Sequence, residues 1–204
     1  WSTQLGVPVD KYVLSTMTAP VLAAGISTAQ GPRDLLFILG ANDTLYAVDA
    51  TSGQIAWQKS FTNPNKSTAP VRDWLCPKTP NATPTIDKAR GIVFFITNDG
   101  MLRGLNLADG ADRLTPVTMV APFARAWSLN LIDNVIYSPS GRACGEITDK
   151  NSLQYTAAMS GLRRAGTGPL LDASAVNAVD VHDLRSEEHT SELQSRLHLV
   201  CRLL

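Results

Sequence analysis

The segment LFILGANDTLYAVDATSGQIAW, residues 36–57, returns 57 positions later as VFFITNDGMLRGLNLADGADRL, residues 93–114, and the two align without a gap. Leu36-Phe37-Ile38-Leu39 falls over Val93-Phe94-Phe95-Ile96, Leu45 over Leu102, Val48 over Leu105, Asp49 over Asn106 and Gly53 over Gly110. A unit of this length cannot bury an apolar face alone, so its copies must stack on one another. Each copy reads as a four-residue apolar strand, a turn, a second strand and another turn. The turns are Ala41-Asn42-Asp43 and Asn98-Asp99-Gly100, then Thr51-Ser52-Gly53 and Ala108-Asp109-Gly110. Asn, Asp and Gly tolerate the positive φ of tight and bulged hairpins, and apolar runs this short between such turns are strands.

A further strand is expected before each unit. Thr18-Ala19-Pro20-Val21-Leu22 matches Ala82-Thr83-Pro84-Thr85-Ile86 and, further on, Thr167-Gly168-Pro169-Leu170-Leu171. Ala126-Trp127-Ser128-Leu129-Asn130 is a weaker member of that series, and Val135-Ile136-Tyr137 reads as a third copy of the Leu36 strand. Ala158-Met159 would then echo Ala47-Val48 after an insertion at 138–153. The fold class expected is all-β: a β-propeller fragment of about three four-stranded antiparallel blades and the start of a fourth. Three blades cannot close a ring, so sheet edges and an inter-blade face would stay open.

Ala47-Val48-Asp49-Ala50-Thr51-Ser52-Gly53-Gln54-Ile55-Ala56-Trp57 resembles the tryptophan-docking motif of PQQ-repeat propellers, a superfamily of quinoprotein alcohol dehydrogenases and outer-membrane assembly lipoproteins. The resemblance implies that Asp49 accepts from the turn amides, Gly53 takes the left-handed position and Trp57 packs between adjacent blades. In the second copy Asn106 replaces the aspartate and Leu114 the tryptophan while Gly110 is kept, so its docking contact should be weaker or aliphatic. Asp73-Trp74-Leu75-Cys76-Pro77, Asn81-Ala82-Thr83-Pro84, Trp127-Ser128-Leu129-Asn130-Leu131 and Gly141-Arg142-Ala143-Cys144-Gly145 resemble a bacterial subgroup of PQQ-binding-like propellers.

That resemblance implies an exported protein, periplasmic or secreted, in which a disulfide would persist. Two readings stand for Cys76 and Cys144: one bridge between neighbouring blades, or two separate buried thiols, since spacing does not establish proximity. Quinoprotein dehydrogenases of the superfamily hold PQQ beneath adjacent cysteines with a calcium on Glu, Asn and Asp, and use an aspartate base. No adjacent cysteine pair and no such set is identifiable here, so no catalytic, cofactor-binding or metal residue is assigned; PQQ with calcium stays open for a longer parent. Glu146 and Asp149 read as a solvated loop, Asp43, Asp99 and Asp109 as turn residues, and Arg163-Arg164 as paired surface charge. The sequons at Asn42, Asn65 and Asn81 read as chance, and His182 carries no argument.

Two functions compete. One is a binding or scaffold propeller whose partner is a protein or cell-envelope component; the other is part of a quinoprotein alcohol or sugar dehydrogenase. The formal net charge is zero with no block of like charge, against nucleic acid or anionic membrane as partner. The purest apolar run, Leu35 to Leu39, is far short of the roughly 20 residues of a membrane span.

The ends need separate treatment. Arg185 to Ser195 reads RSEEHTSELQS, the in-frame translation of a common sequencing adapter, and Arg196 to Leu204 fits the continuation of that template codon by codon. Residues 1–184 are therefore read as an incomplete propeller and 185–204 as a non-native tail. The chain opens on Trp1 rather than an initiator Met, and a leader is expected to lie upstream. Genomic DNA read through codon 184 should diverge from this sequence at Arg185; a genomic reading that encodes RSEEHTSELQS would refute the assignment.

Overall fold

The structure, a computed structural model, describes residues 1–6, 18–64, 79–80, 82–126, 128–132, 134–141 and 173–180. Three antiparallel sheets follow one another along the chain. The first holds β1 (Val21–Thr28), β2 (Gly31–Leu39), β3 (Thr44–Asp49) and β4 (Ile55–Ser60), in that spatial order. The second repeats the meander with β5 (Thr85–Asp87), β6 (Ile92–Ile96), β7 (Met101–Asn106) and β8 (Asp112–Thr118). In the third, β10 (Asn130–Ile132), β11 (Val135–Gly141) and β12 (Ala173–Asp180) lie side by side, and β9 (Arg125–Ala126) pairs with the far end of β11. Serial four-stranded meanders stacked face to face are propeller blades, and the chain is a fragment of such a propeller.

Turn chemistry delimits the strands where the repeat placed them. Asp43 and Gly100, one period apart, both take positive φ, at 51° and 81°. Gly53 and Gly110, again one period apart, both stand at φ 73°, a backbone that any Cβ would strain. A bulge recurs too: the register slips between Ala47 and Val48 against β4, and between Gly104 and Leu105 against β8. Extra residues of this kind bend the strand and increase its twist.

Burial shows how the sheets stack. Every residue of β6 is buried. Val93 and Phe95 join Leu35, Phe37, Leu39, Leu45 and Ala47 in a core between the first two sheets. Ile92, Phe94 and Ile96 point the other way, into a second core with Leu114, Met119, Leu129 and Ile136. A strand covered on both faces reads as a continuous apolar run, which is why IVFFI lacks polar alternation. β2 alternates instead: Leu35, Phe37 and Leu39 are buried, Leu36 and Ile38 only partly so. Small residues let the large rings sit flat. Phe37 lies opposite Ala47 and Phe94 opposite Gly104, where a Cβ on Gly104 would come within 3.0 Å of the Phe94 ring.

The third sheet departs from expectation in two places. β11 runs on through Ser138, Pro139, Ser140 and Gly141, so the insertion expected over 138–153 begins later. Its pairing with β12, from Val135 opposite Asp180 to Gly141 opposite Ala173 with one register slip between Ser140 and Gly141, carries the strand across that stretch. The neighbour of β11 is thus taken from 173–180, whereas an echo was expected at Ala158-Met159. Residues 158–159 and 167–171 lie outside the described residues.

Because the two phenylalanines serve different cores, their truncations should separate. Phe95→Ala and Phe94→Ala should each cost about 3–5 kcal/mol. Hydrogen exchange should rise first in β2 and β3 for Phe95→Ala and first in β11 for Phe94→Ala; the same exchange pattern in both variants would contradict the two-core description.

Candidate functional site

The polar and aromatic groups gather at the joint between the first two blades. At one end of the joint, the turn from β3 to β4 is organised by Asp49. Its Oδ1 accepts from the Thr51 amide at 3.0 Å, the Ser52 amide at 2.8 Å and the Ser52 hydroxyl at 3.0 Å, and Oδ2 meets Arg33 at 3.4 Å. The Ser52 amide and hydroxyl are the main reason its carboxyl sits below the usual range, with the Thr51 amide and Arg33 adding to them. In the second blade Asn106 holds the matching turn with less: its Oδ1 accepts from the Ala108 amide at 2.8 Å. Gly53 and Gly110 close the two turns by donating to the carbonyls of Asp49 and Asn106.

Trp57 crosses the joint. Its indole Nε1 donates to the Leu107 carbonyl at 3.0 Å, and its ring lies on Gly110, where a Cβ would come within 2.8 Å of the indole. Behind it stands Phe37, with centroids 5.8 Å apart and planes at 55°. The indole is half-buried. Leu114, at the equivalent place in the second blade, is buried among Met119, Ala126, Leu129 and Ile136 instead.

Trp1 has the same relation to the first blade, a contact sequence reasoning missed. Its Nε1 donates to the Ala50 carbonyl at 3.1 Å, its ring lies against Gly53, and the Thr3 hydroxyl donates to the Gly53 carbonyl. Ala50 and Gly53 are one period before Leu107 and Gly110. The signal was available in the spacing of Trp1 to Trp57, which is one residue short of that period.

At the other end of the joint, Asp43 does more than shape its own turn, which corrects the reading of it as turn chemistry alone. It is 4% exposed, its carboxylate accepts from the Asn98 amide of the second blade at 2.7 Å, and its carbonyl accepts from the Phe61 amide at 2.9 Å. Asp99 beside it is held by Arg103 at 2.6 Å and by the Met101 amide at 3.1 Å. Arg103 donates to the Thr97 hydroxyl at 2.9 Å and lies over the Phe61 ring at 4.5 Å. Phe61 in turn packs on Phe95, centroids 5.5 Å apart. Burial pushes the Asp43 carboxyl up to about 6, and Asp99 adds repulsion; the Asn98 amide and Arg103 pull the other way.

This cluster fastens the second blade to the first through Asp43, Phe61 and Arg103. The cavity beside it, lined by Ile96, Thr97, Asn98 and Val120, has a volume of about 10 Å³, room for one water. On the outer side the two blades leave an open groove of about 600 Å³ lined by Lys59, Phe61, Arg103, Asp112, Arg113 and Pro116. Lys59 spans that groove to Asp112 at 2.7 Å. Among the described residues no three His, Cys, Asp or Glu are placed to hold a metal, and no helix is long and apolar enough to cross a membrane. Cys76, Cys144, Glu146, Asp149, Arg163, Arg164, His182 and the 185–204 tail lie outside the described residues.

A family model described as outer membrane protein assembly factor BamB matches residues 1–143. No curated protein matches the chain. Among solved structures, BamB from Moraxella catarrhalis is similar at 18% identity, over 52% of this chain and 27% of its own, with a TM-score of 0.37. A quinohemoprotein alcohol dehydrogenase from Comamonas testosteroni is similar at 14% identity, over 67% of this chain and 17% of its own, with a TM-score of 0.42. Another, ADHIIG from Pseudomonas putida HK5, is similar at 16% identity, over 64% and 19%, also with a TM-score of 0.42. The chain therefore spans about a quarter or less of the length of each.

The raised Asp43 carboxyl has a definite pH signature. A folded-state value of about 6 against an ordinary 3.8 means that folding favours the protonated form. Its contribution to stability is full below the ordinary value and is lost as pH rises through about 6. Asp43→Asn keeps an acceptor for Asn98 and suits the left-handed turn. The variant should match the parent near pH 4 and exceed it by about 1–3 kcal/mol at pH 7.5. Urea unfolding across that range tests it; parallel pH profiles would refute the assignment.

Proposed function

The chain belongs to the PQQ-repeat β-propeller family whose matching model is described as outer membrane protein assembly factor BamB, and from that premise we propose that it is part of an exported, non-catalytic propeller that binds another protein of the cell envelope. What carries the reading is that model, spanning residues 1–143 and described by an assembly factor rather than an oxidoreductase. The described surface is compatible with such a role: the groove beside Phe61, Arg103, Arg113 and Pro116 joins an aromatic and two guanidinium groups, chemistry that protein interfaces favour. Asp49, Gly53 and Trp57, with Asn106 and Gly110, act in this reading as blade-docking residues that keep the platform rigid. In this reading residues 1–184 are the propeller piece and 185–204 a non-native tail.

The described residues do not fit a PQQ–calcium site. The most buried carboxylate, Asp43, is turned onto the Asn98 amide, and the cavity beside it is too small for a quinone. A dehydrogenase parent would have to draw its cofactor ligands from other parts of the chain. Reconstitution of the longer protein with PQQ and calcium separates the two functions. We expect no quinone absorbance to survive gel filtration and no dye-linked oxidation of alcohols or sugars. Stoichiometric retention of quinone with alcohol-dependent dye reduction would overturn the scaffold reading.

A further inference from the structure

The groove between the first two blades holds one charge that no described residue answers. It opens on the outer side of the joint, about 600 Å³ in volume, and draws its lining from the end of the first blade and from β7 and β8 of the second. Four charged side chains line it: Lys59, Arg103, Asp112 and Arg113. Lys59 is answered by Asp112 at 2.7 Å, and Arg103 by Asp99 at 2.6 Å. The Arg113 guanidinium has no ion pair among the described residues. One positive charge is thus left over, in a chain whose formal net charge is zero.

The lining suits an incoming side chain better than an added strand. β8 is the last strand of its sheet, yet its free edge is interrupted. Leu102 pairs with Val117 and Gly104 with Leu114, so Thr115 and Pro116 together face Arg103 in a bulge. Both are exposed. Pro116 has no amide N–H to offer, and a bulged, proline-bearing edge is a poor template for strand pairing. The groups around it are already fixed. Phe61 is half-buried, packed on Phe95 with centroids 5.5 Å apart and covered by the Arg103 guanidinium at 4.5 Å. Arg103 in turn donates to Thr97 and Asp99. A ligand entering here would have little to order beyond Arg113 itself.

We propose that this groove takes an acidic residue with an apolar neighbour from a partner protein's segment, Arg113 holding the carboxylate and Phe61 and Pro116 meeting the apolar side chain. The proposal rests on the scaffold reading for the partner's being a protein. One unanswered guanidinium matches one carboxylate, which accepts from its planar fork of donors. A phosphate dianion would bring a second charge for which the groove has no free counterpart. Lys59 and Phe61 belong to the first blade, Arg103 and Arg113 to the second, so the occupant touches both sides of the joint.

The test is an NMR titration of the isotope-labelled 204-residue chain with the capped peptide acetyl-Ser-Phe-Glu-Leu-Ser-amide. The Thr115 amide and the Arg113 side-chain N–H signals should shift together and saturate. The same peptide with Gln in place of Glu should bind about fivefold more weakly. Arg113→Gln should weaken the Glu peptide by that factor and abolish the difference between the two peptides. Thr115→Glu, which adds a carboxylate to the groove lining at an exposed position, should weaken the Glu peptide as well. Lys88→Gln, exposed between β5 and β6, should leave both affinities unchanged. No shift at millimolar peptide, equal binding of the two peptides, or an Arg113→Gln chain that still distinguishes them would overturn the proposal. So would displacement of the peptide by an equal concentration of inorganic phosphate, which would make this a small-anion site. The proposal and the reading beneath it fail separately. Quinone retained by the longer protein would remove the scaffold reading and leave the titration standing, whereas a flat titration would remove the groove and leave the scaffold.

Discussion

The strand β6 has no polar face to turn to water, and the arrangement follows from that constraint. Val93 and Phe95 leave β6 on one side, Ile92, Phe94 and Ile96 on the other, and both sets are buried. Such a strand is stable only as the filling between two other sheets. Apolar burial of roughly 25 cal/mol per Å² then acts on both faces at once, and the blades stack in series because each completes its neighbour. Ala47 and Gly104 are part of the same solution, since a larger side chain at either would lift the facing phenylalanine off its sheet.

Apolar stacking alone would let the sheets slide, and the polar contacts restrain that. Trp57 joins the joint at the β7–β8 turn through one carbonyl, and Asp43 joins it at the β6–β7 turn through one amide. Each bond closes a backbone group that the stacked turns would otherwise leave without a partner in a dry place. The two fastenings differ in kind. The indole brings large area and a single donor, whereas the carboxylate is desolvated and held in register by a turn that only Gly, Asn or Asp adopts readily.

Much of this was legible from the residues. Gly53, Gly100 and Gly110 stand at turns because positive φ is a local property, written in residue type. The offset of 57 located the strands between them because the apolar runs recur without a gap. The partners across the joint were not legible. Nothing about Asp43 in the sequence distinguishes a carboxylate that serves its own turn from one that reaches Asn98 across 55 positions. Trp1 is not legible for another reason: Trp57 stands out by Asp49 and Gly53 before it, and Trp1, at the first position of the sequence, has no such markers before it. The third blade was hardest, since its later strand carries ASAVNAVD, with no resemblance to TLYAVD beyond its final residues.

That third blade also sets the order in which the chain can assemble. In the first two blades each strand meets its neighbour across a turn of a few residues, so pairing needs little more than local hairpin closure, an event of microseconds. β11 must instead wait for β12, with residues 142–172 between them. Closing a loop of that length rather than a four-residue turn costs about 2 kcal/mol of additional chain entropy before any contact compensates it. The first two blades are thus placed to form early as a local unit, leaving β11 a temporarily unpaired edge beside a finished core. In a cell, that interval is when the nascent propeller is most open to pairing with the wrong strand.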